Sequence, residues 1–170
     1  LFAALFAYVS HRIPEISDEL YKIDDAMKAG FGWEHGPFQI WDAIGLEKGL
    51  ELIQAENLEV APWVNDMMAS ENMSFYTVKD GASYFYDLAS KSQEKIPGQD
   101  AFIILDNIRK SNEVFKNSGV VVEDLGDGIL NCEFQSKMNT IGGDVLAGIN
   151  KAVDLAEKNF DGLVIGNQGA

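Results

Sequence analysis

The chain has 170 residues, a length that suits one domain or two small ones, and its 46% apolar and 24% charged residues exclude a wholly disordered protein. Its formal net charge of −14 would repel a phosphate backbone, which argues against general nucleic-acid binding. No apolar run reaches about 18 residues, so no membrane-spanning helix is predicted. The single cysteine, Cys132, cannot form an internal disulfide and indicates a reducing, cytoplasmic compartment.

The first seventy residues show the three-to-four-residue apolar spacing of amphipathic helices. Residues 1–12 have the pattern of the end of a helix, so we expect the chain to be a piece of a longer protein. We expect four helices over residues 1–70. One runs from Ser17 or Asp18 to Gly30, which would close it. The others cover residues 37–45, residues 46–56 and a segment that starts at Pro62. The stripe predicted to be buried around the first of them is Ile13, Ile16, Leu20, Ile23 and Met27.

The apolar period changes from near 3.6 to 2 at Phe75, which predicts a β-hairpin over residues 75–87 around Asp80-Gly81. Residues 91–100 are polar and contain Pro97-Gly98. We therefore place a boundary there, with one domain over residues 1–96 and a second over residues 100–170.

The second half reads as strands followed by a helix and one more strand. Residues 120–134 predict a second hairpin, and residues 135–140 form a polar turn. A helix is predicted from about Gly143 to Lys158, and a short all-apolar strand over residues 163–166 suits a covered parallel sheet. The predicted buried stripe of this helix is Leu146, Ile149, Val153 and Ala156.

The residue types that usually carry chemistry are scarce, and we predict no catalytic residue and no metal site in this chain. His11 at a helix end and His35 in a glycine-rich turn have no evident carboxylate partner for acid–base work. Cys132 lies in an alternating strand without a flanking cation, which favours a buried, inert thiol. No Gly-x-Gly-x-x-Gly follows a strand, so no dinucleotide site is predicted.

Three other groups have a functional and a structural interpretation. Five aromatic residues could line a ligand slot, but their helical spacing favours a core: Phe31, Trp33, Phe38, Trp41 and Trp63. The acidic pairs Asp24-Asp25 and Asp124/Asp127 fit solvated faces and turns better than acid–base pairs. Lys137, in a polar turn before a Gly-Gly helix start, could contact a phosphate.

Two stretches resemble a known family. Arg12-Ile13-Pro14-Glu15-Ile16 is followed by residues 24–38, whose pattern D-x-A-M-x-x-G-x-G-x-x-x-G-P-F resembles the C-terminal helical domain of 3-hydroxyacyl-CoA dehydrogenases. That resemblance covers about residues 1–70. Residues from about 100 to 170 resemble the opening of an enoyl-CoA hydratase, or crotonase-like, domain. The order of the two is similar to that of bacterial fusion enzymes of fatty-acid β-oxidation.

The resemblance implies an α+β chain: an all-helical dehydrogenase C-terminal-type domain with a β-hairpin, then the incomplete α/β beginning of a crotonase-like fold. It implies an intact enzyme that oxidises 3-hydroxyacyl-CoA with NAD, in which the NAD fold, the catalytic pair and the remaining crotonase elements lie outside this chain. Lys137 and Asn139 are the residues of this chain that the resemblance places near the CoA moiety. Further partners are the acyl-CoA substrate and a second copy in a homo-oligomer.

A noncatalytic helical scaffold or dimerisation module is the alternative that the residues leave open. The two hypotheses differ in whether the parent protein turns over acyl-CoA substrates.

Overall fold

The structure is a computed structural model that describes residues 1–70, 72–109 and 111–168. Within these ranges no helix is both long and apolar enough to cross a membrane. The chain divides into two compact units. The first contains Leu1–Lys79 and Ser83–Pro97, and the second contains Asp80–Ala82 and Gly98–Ala170. The predicted boundary lies between residues 96 and 100, and the structure passes from the first unit to the second between Pro97 and Gly98.

The first unit begins with helices, and there are five over residues 1–70 rather than the predicted four. The additional one is the opening segment, which is a ten-residue helix of its own. The bounds of the helices are α1 Phe2–His11, α2 Leu20–Phe31, α3 Pro37–Ile44, α4 Leu46–Ala55 and α5 Pro62–Ala69.

Glycine and proline set the helix boundaries of this unit. Pro37 and Pro62 each occupy the first position of a helix, where a missing N–H leaves no hydrogen bond unmade. Helix α2 continues through Gly30 and ends at Gly32, whose φ of 65° is the left-handed conformation of a helix C-cap. The prediction that Gly30 closes the helix was therefore wrong by one half-turn.

The core of the first unit is aromatic. Phe6 and Trp41 stack with their ring centroids 4.8 Å apart, and Phe75 packs 5.1 Å from Trp41. All three side chains are fully buried. The Trp41 indole N–H also donates to the Leu46 carbonyl oxygen at 3.2 Å, so its polar edge is satisfied inside the core.

Some residues predicted to be buried are exposed. Ile16 precedes α2 in a turn rather than continuing its face, and it is exposed. The aromatic set separates in the same way. Phe38 and Trp41 are core residues, whereas Phe31 and Trp33 lie exposed at the end of α2 and in the loop after it. Helical spacing predicts which residues are buried only within the helix, and Trp33 lies beyond the end of α2.

A three-stranded antiparallel sheet completes the first unit, so the expectation of an all-helical domain with a single hairpin was wrong. The predicted hairpin is present as β1 Tyr76–Lys79 and β2 Ala82–Asp87, with Gly81 at a φ of 74° in the turn. A third strand, β3 Ser92–Lys95, pairs with β2 in the register Phe85↔Glu94. Its sequence is entirely polar, which is why no apolar pattern revealed it.

The second unit is a four-stranded sheet covered by a long helix. Its elements are α6 Leu105–Ile108, β4 Glu113–Lys116, β5 Val120–Asp124, β6 Ile129–Phe134, α7 Gly143–Asn159 and β7 Gly162–Ile165. The strand order is β4-β5-β6-β7, and β7 is parallel to β6 as predicted. Strand β4, a four-residue segment with the sequence EVFK, was not predicted.

Helix α7 packs on the sheet through a stripe that shares Ile149 and Ala156, but not Leu146 and Val153, with the predicted one. Val145 and Ala152 are buried, and Gly148 approaches Val120 so closely that a Cβ there would lie 2.2 Å from a Val120 methyl group. Leu146 and Val153, which were predicted to be buried, are exposed. The glycine contact rotates the helix toward its small residues, because they allow the closest approach to the sheet.

Candidate functional site

The most unusual polar residue of the first unit is Asp24, which lies in the middle of α2 and is 1% exposed. Its Oδ1 accepts the Phe38 backbone N–H at 2.9 Å, and its Oδ2 accepts the Gln39 N–H at 3.0 Å. These are two of the free N–H groups at the start of α3. The Tyr76 hydroxyl donates to the same Oδ2 at 2.8 Å. One carboxylate therefore joins α2, α3 and β1.

Gly36 makes this arrangement possible. A Cβ at that position would lie 2.3 Å from the Asp24 Cβ, so no larger residue fits between α2 and the start of α3. The Gly36 N–H is satisfied by the Gln39 side chain at 3.0 Å. The first and last parts of the sequence pattern D-x-A-M-x-x-G-x-G-x-x-x-G-P-F are thus in direct contact.

Asp42 is a second carboxylate with the same kind of partner. It accepts the backbone N–H groups of Phe75 and Tyr76, each at 2.8 Å, where the chain enters β1. Asp24 therefore binds the hydroxyl of Tyr76, and Asp42 binds its backbone N–H. We name these three residues the carboxylate clamp.

Burial dominates the protonation of the clamp. It raises the pKa of Asp24 to about 6, against the lowering effect of the Phe38, Tyr76 and Gln39 hydrogen bonds. It also raises the pKa of Asp42 to about 6, and the nearby charge of Asp24 adds to that rise. The pKa of the Tyr76 hydroxyl is raised by burial and by the two carboxylates. The clamp thus changes protonation state in a slightly acidic range.

The interpretation of Asp24-Asp25 as a solvated acidic pair was wrong for Asp24. Asp25 is exposed and forms an ion pair with Lys28 at 2.8 Å, as expected of a helix surface. Asp24 lies four residues after the fully buried Leu20, so its position on the buried face was the available sequence signal. A carboxylate at such a position requires several donors, and here they are backbone N–H groups and a tyrosine.

Both histidines are exposed. His11 Nε2 lies 3.3 Å from the Glu59 carbonyl oxygen at the end of α1. His35 lies in the loop between α2 and α3. Cys132 is fully buried on β6, and burial raises the pKa of its thiol, which keeps it protonated and unreactive at neutral pH. The expected buried, inert thiol is present.

Lys137 and Asn139 lie in the second unit, in a 3₁₀ turn over Lys137–Asn139. The Lys137 side chain is exposed, and Met138 and Asn139 both have left-handed φ values, of 56° and 53°. The Thr140 hydroxyl donates to the Lys137 carbonyl oxygen at 2.8 Å. This turn leads to Gly142 and the start of α7, so Lys137 precedes the N-terminus of that helix in the sequence.

The start of α7 does not fit the pyrophosphate of NAD. The start of α7 would be the place for a pyrophosphate, because α7 connects the parallel strands β6 and β7. Asp144 occupies the first turn of that helix and accepts the Ser118 hydroxyl at 2.6 Å, which puts a negative charge where a phosphate would bind. The described ranges also hold no group of three or more side chains arranged to bind a metal ion.

Residues 2–84 match the family model described as the 3-hydroxyacyl-CoA dehydrogenase C-terminal domain. No solved structure matches the chain. The matched range contains the whole carboxylate clamp.

Three curated relatives align with nearly the whole chain. A protein of Bacillus subtilis (strain 168), with the name of a 3-hydroxyacyl-CoA dehydrogenase, is 39% identical over 163 residues, or 95% of this chain and 20% of its own length. Proteins of Rickettsia felis and Rickettsia prowazekii, with the name of a fatty acid oxidation complex trifunctional enzyme, are 23% and 26% identical over 99% of this chain. The chain spans about a fifth of the length of these relatives.

Proposed function

We propose that this chain is a segment of an enzyme that oxidises 3-hydroxyacyl-CoA in fatty-acid β-oxidation, because residues 2–84 match the family model of the 3-hydroxyacyl-CoA dehydrogenase C-terminal domain. The observation that carries the proposal is the family pattern over residues 24–38 folded as one unit, with Asp24 accepting the N–H groups at the start of α3. The names of the three relatives agree with this activity.

In this proposal the chain contributes structure rather than the reacting groups. NAD accepts the hydride in the parent protein and binds outside these residues, which offer it no fitting site. No residue of this chain acts as the catalytic acid or base. The first unit supplies a packing surface for the NAD-binding part and for a second copy of the protein in a homo-oligomer.

We further propose that residues 100–170 are the beginning of a crotonase-like hydratase domain, separate from a dehydrogenase domain over residues 1–96. The antiparallel β5–β6 hairpin followed by α7 and the parallel strand β7 supports this assignment. Lys137 and Asn139 would then contact the CoA moiety. The exposed Lys137 ammonium supports this role, because CoA carries phosphates that attract a cation.

We place the protein in the cytoplasm. The support is its single cysteine, buried as a free thiol, which is the form that a reducing compartment maintains. The acidic character of the chain argues against a nucleic-acid partner.

The test is an assay of the parent protein that contains this sequence. NADH oxidation with acetoacetyl-CoA and hydration of crotonyl-CoA are both followed by absorbance. We expect turnover of the first substrate with NADH, and a KM for crotonyl-CoA raised several-fold by Lys137→Ala but unchanged by Lys151→Ala, an exposed lysine on α7. A parent protein that turns over neither substrate would support the noncatalytic scaffold instead.

A further inference from the structure

The two central strands of the second unit, β5 and β6, are buried on both faces, and one of these faces carries polar side chains. Val122 and Cys132 point toward α7, as the core of this unit shows. Glu123 and Asn131 are paired on neighbouring strands, and Glu133 follows two residues along β6, so all three lie on the opposite face. Their exposures are 0%, 1% and 4%. Something must therefore cover a polar surface.

The segment that lies on this face is residues 103–109, which we name the strap. Arg109 reaches across to Glu133 with two hydrogen bonds, from Nε to Oε2 at 3.0 Å and from Nη2 to Oε1 at 2.9 Å. At the other end, the Gln168 side chain donates to the Ile103 carbonyl oxygen and accepts the Leu105 N–H. The strap is thus tied at both ends by polar side chains.

The strap also buries two apolar side chains. Leu105 and Ile108 are its buried side chains, whereas Ile103 is 43% exposed. Its regular structure is the four-residue helix α6, and a single helical turn has little stability of its own because nucleation is unfavourable. The charge-assisted Arg109–Glu133 pair therefore acts together with the Gln168 hydrogen bonds and these two apolar side chains to keep the strap in place.

Beneath the strap, the closed arrangement leaves one acceptor unsatisfied. Glu123 Oε2 accepts the Asn131 amide at 3.0 Å, but Oε1 is buried and has no hydrogen-bond partner. Among the residues that the structure describes, the cationic atom paired with Oε1 is Arg109 Nε at 3.9 Å, and that nitrogen is already bonded to Glu133. A buried carboxylate oxygen without a donor opposes closure, because water would satisfy it once the strap opens.

We propose that the strap opens and closes over the polar face of this sheet, with the Arg109–Glu133 pair as its latch and the unpartnered Glu123 oxygen as the group that favours opening. This inference goes beyond the proposed function and does not depend on it. The strap is a conformational device of the second unit alone.

The charges around Glu123 give the strap a pH dependence. Burial raises the pKa of Glu123, and the neighbouring carboxylates raise it further, while the Asn131 amide and Arg109 lower it. Opening hydrates Glu123 and returns its pKa toward the ordinary value. A group whose pKa is raised in the closed state stabilises that state below the raised pKa, so closure weakens as the pH rises. The groups that face Glu123 are Glu113, Asn131, Glu133 and Arg109, and Arg109 also binds the exposed Asp106.

Hydrogen exchange of the whole 170-residue chain, followed by mass spectrometry, tests the proposal. Glu133→Gln removes the charge of the latch and should speed exchange of the strap peptide at least tenfold, with α7 unchanged. Glu123→Gln keeps the size of the side chain but cannot ionise, so it should slow strap exchange and remove its pH dependence beyond that of the intrinsic rate. The matched control is Asp106→Asn, which removes an exposed partner of the same arginine and should change exchange less than threefold.

Three outcomes would overturn the strap. The first is equal protection of strap and α7 in Glu133→Gln. The second is faster exchange over the whole second unit in that variant, because Glu133 would then stabilise the sheet rather than a separate cover. The third is faster strap exchange in Glu123→Gln, which would make the Glu123 carboxylate a tie that holds the strap closed.

Discussion

Two helical glycines of the first unit should respond in opposite ways to the same substitution. Gly49 lies in the middle of α4, and a Cβ there would lie 1.9 Å from Trp41 Nε1 and 2.4 Å from its Cδ1. Gly30 lies in the last turn of α2, where a Cβ meets no atom within 4 Å. Alanine is favoured over glycine in a helix by about 1 kcal/mol, so propensity alone predicts stabilisation at both positions.

The packing around Trp41 reverses that expectation at Gly49. Trp41 is fully buried between Phe6 and Phe75 and cannot move away without disturbing both rings. Overpacking costs about 1–3 kcal/mol, and displacing the indole from the Leu46 carbonyl costs about 1 kcal/mol more. After the gain in helix propensity, Gly49→Ala should lower the free energy of unfolding by about 1–3 kcal/mol, whereas Gly30→Ala should raise it by about 0.5–1 kcal/mol.

A double-mutant cycle isolates the contact. Trp41→Ala alone should cost about 3–5 kcal/mol, as expected of a buried tryptophan. In that background the clash is gone, so Gly49→Ala should become stabilising, and the coupling free energy should be about 2 kcal/mol or more. Where Trp41→Ala leaves too little folded protein, Trp41→Leu serves the same purpose.

Urea denaturation followed by tryptophan fluorescence provides the measurement, because all three tryptophans lie in the first unit. A stabilising Gly49→Ala in the unsubstituted chain would refute the packing at Trp41. Equal effects of Gly49→Ala with and without Trp41 would show that some other contact governs the site.

Other measurements address the clamp, the activity of the chain and its thiol. The pKa of Asp24 is raised from 3.8 to about 6 in the folded chain. Its contribution to the free energy of unfolding is therefore fully present below about pH 4 and is lost as the pH rises through about 6. For Asp24 alone, urea denaturation should show a loss of about 1 kcal/mol between pH 5 and pH 7.5. Asp24→Asn should reduce the measured loss to the part that Asp42 contributes through its own raised pKa, and Asp25→Asn should not reduce it. Stability that increases over this range would contradict the burial of the clamp. The isolated chain should turn over neither acetoacetyl-CoA with NADH nor crotonyl-CoA, and turnover removed by His35→Ala would make His35 a catalytic residue. Cys132 should resist an aromatic disulfide reagent in the native chain and react once urea unfolds it, so rapid native labelling would contradict its burial on β6.

The helices and hairpins could be read from the sequence because their signals are local. Apolar spacing of three to four residues located α2 to α5, and prolines at positions 37 and 62 marked two helix starts. Alternation around Asp80-Gly81 and over residues 120–134 located both hairpins. The parallel strand β7 followed from its short, wholly apolar run.

The residue pattern over positions 24–38 predicted the dehydrogenase C-terminal domain, and the family match over residues 2–84 agrees with it. The assignment of residues 100–170 to a crotonase-like domain, and of Lys137 and Asn139 to CoA, stay predictions. A local residue pattern cannot test them, because both concern a bound ligand and the remaining elements of a crotonase-like domain.

Tertiary structure decided the parts of the molecule that depend on distant partners. Strand β3 is polar, so nothing local distinguishes it from a loop, and β4 has only four residues. Pairing with a neighbouring strand makes both segments strands. Asp24 is a clamp rather than a surface acid because Phe38, Gln39 and Tyr76 bring donors to it from fourteen to fifty-two residues away. Spacing along a helix determines which residues share a face, but which face is buried depends on the surface that it meets.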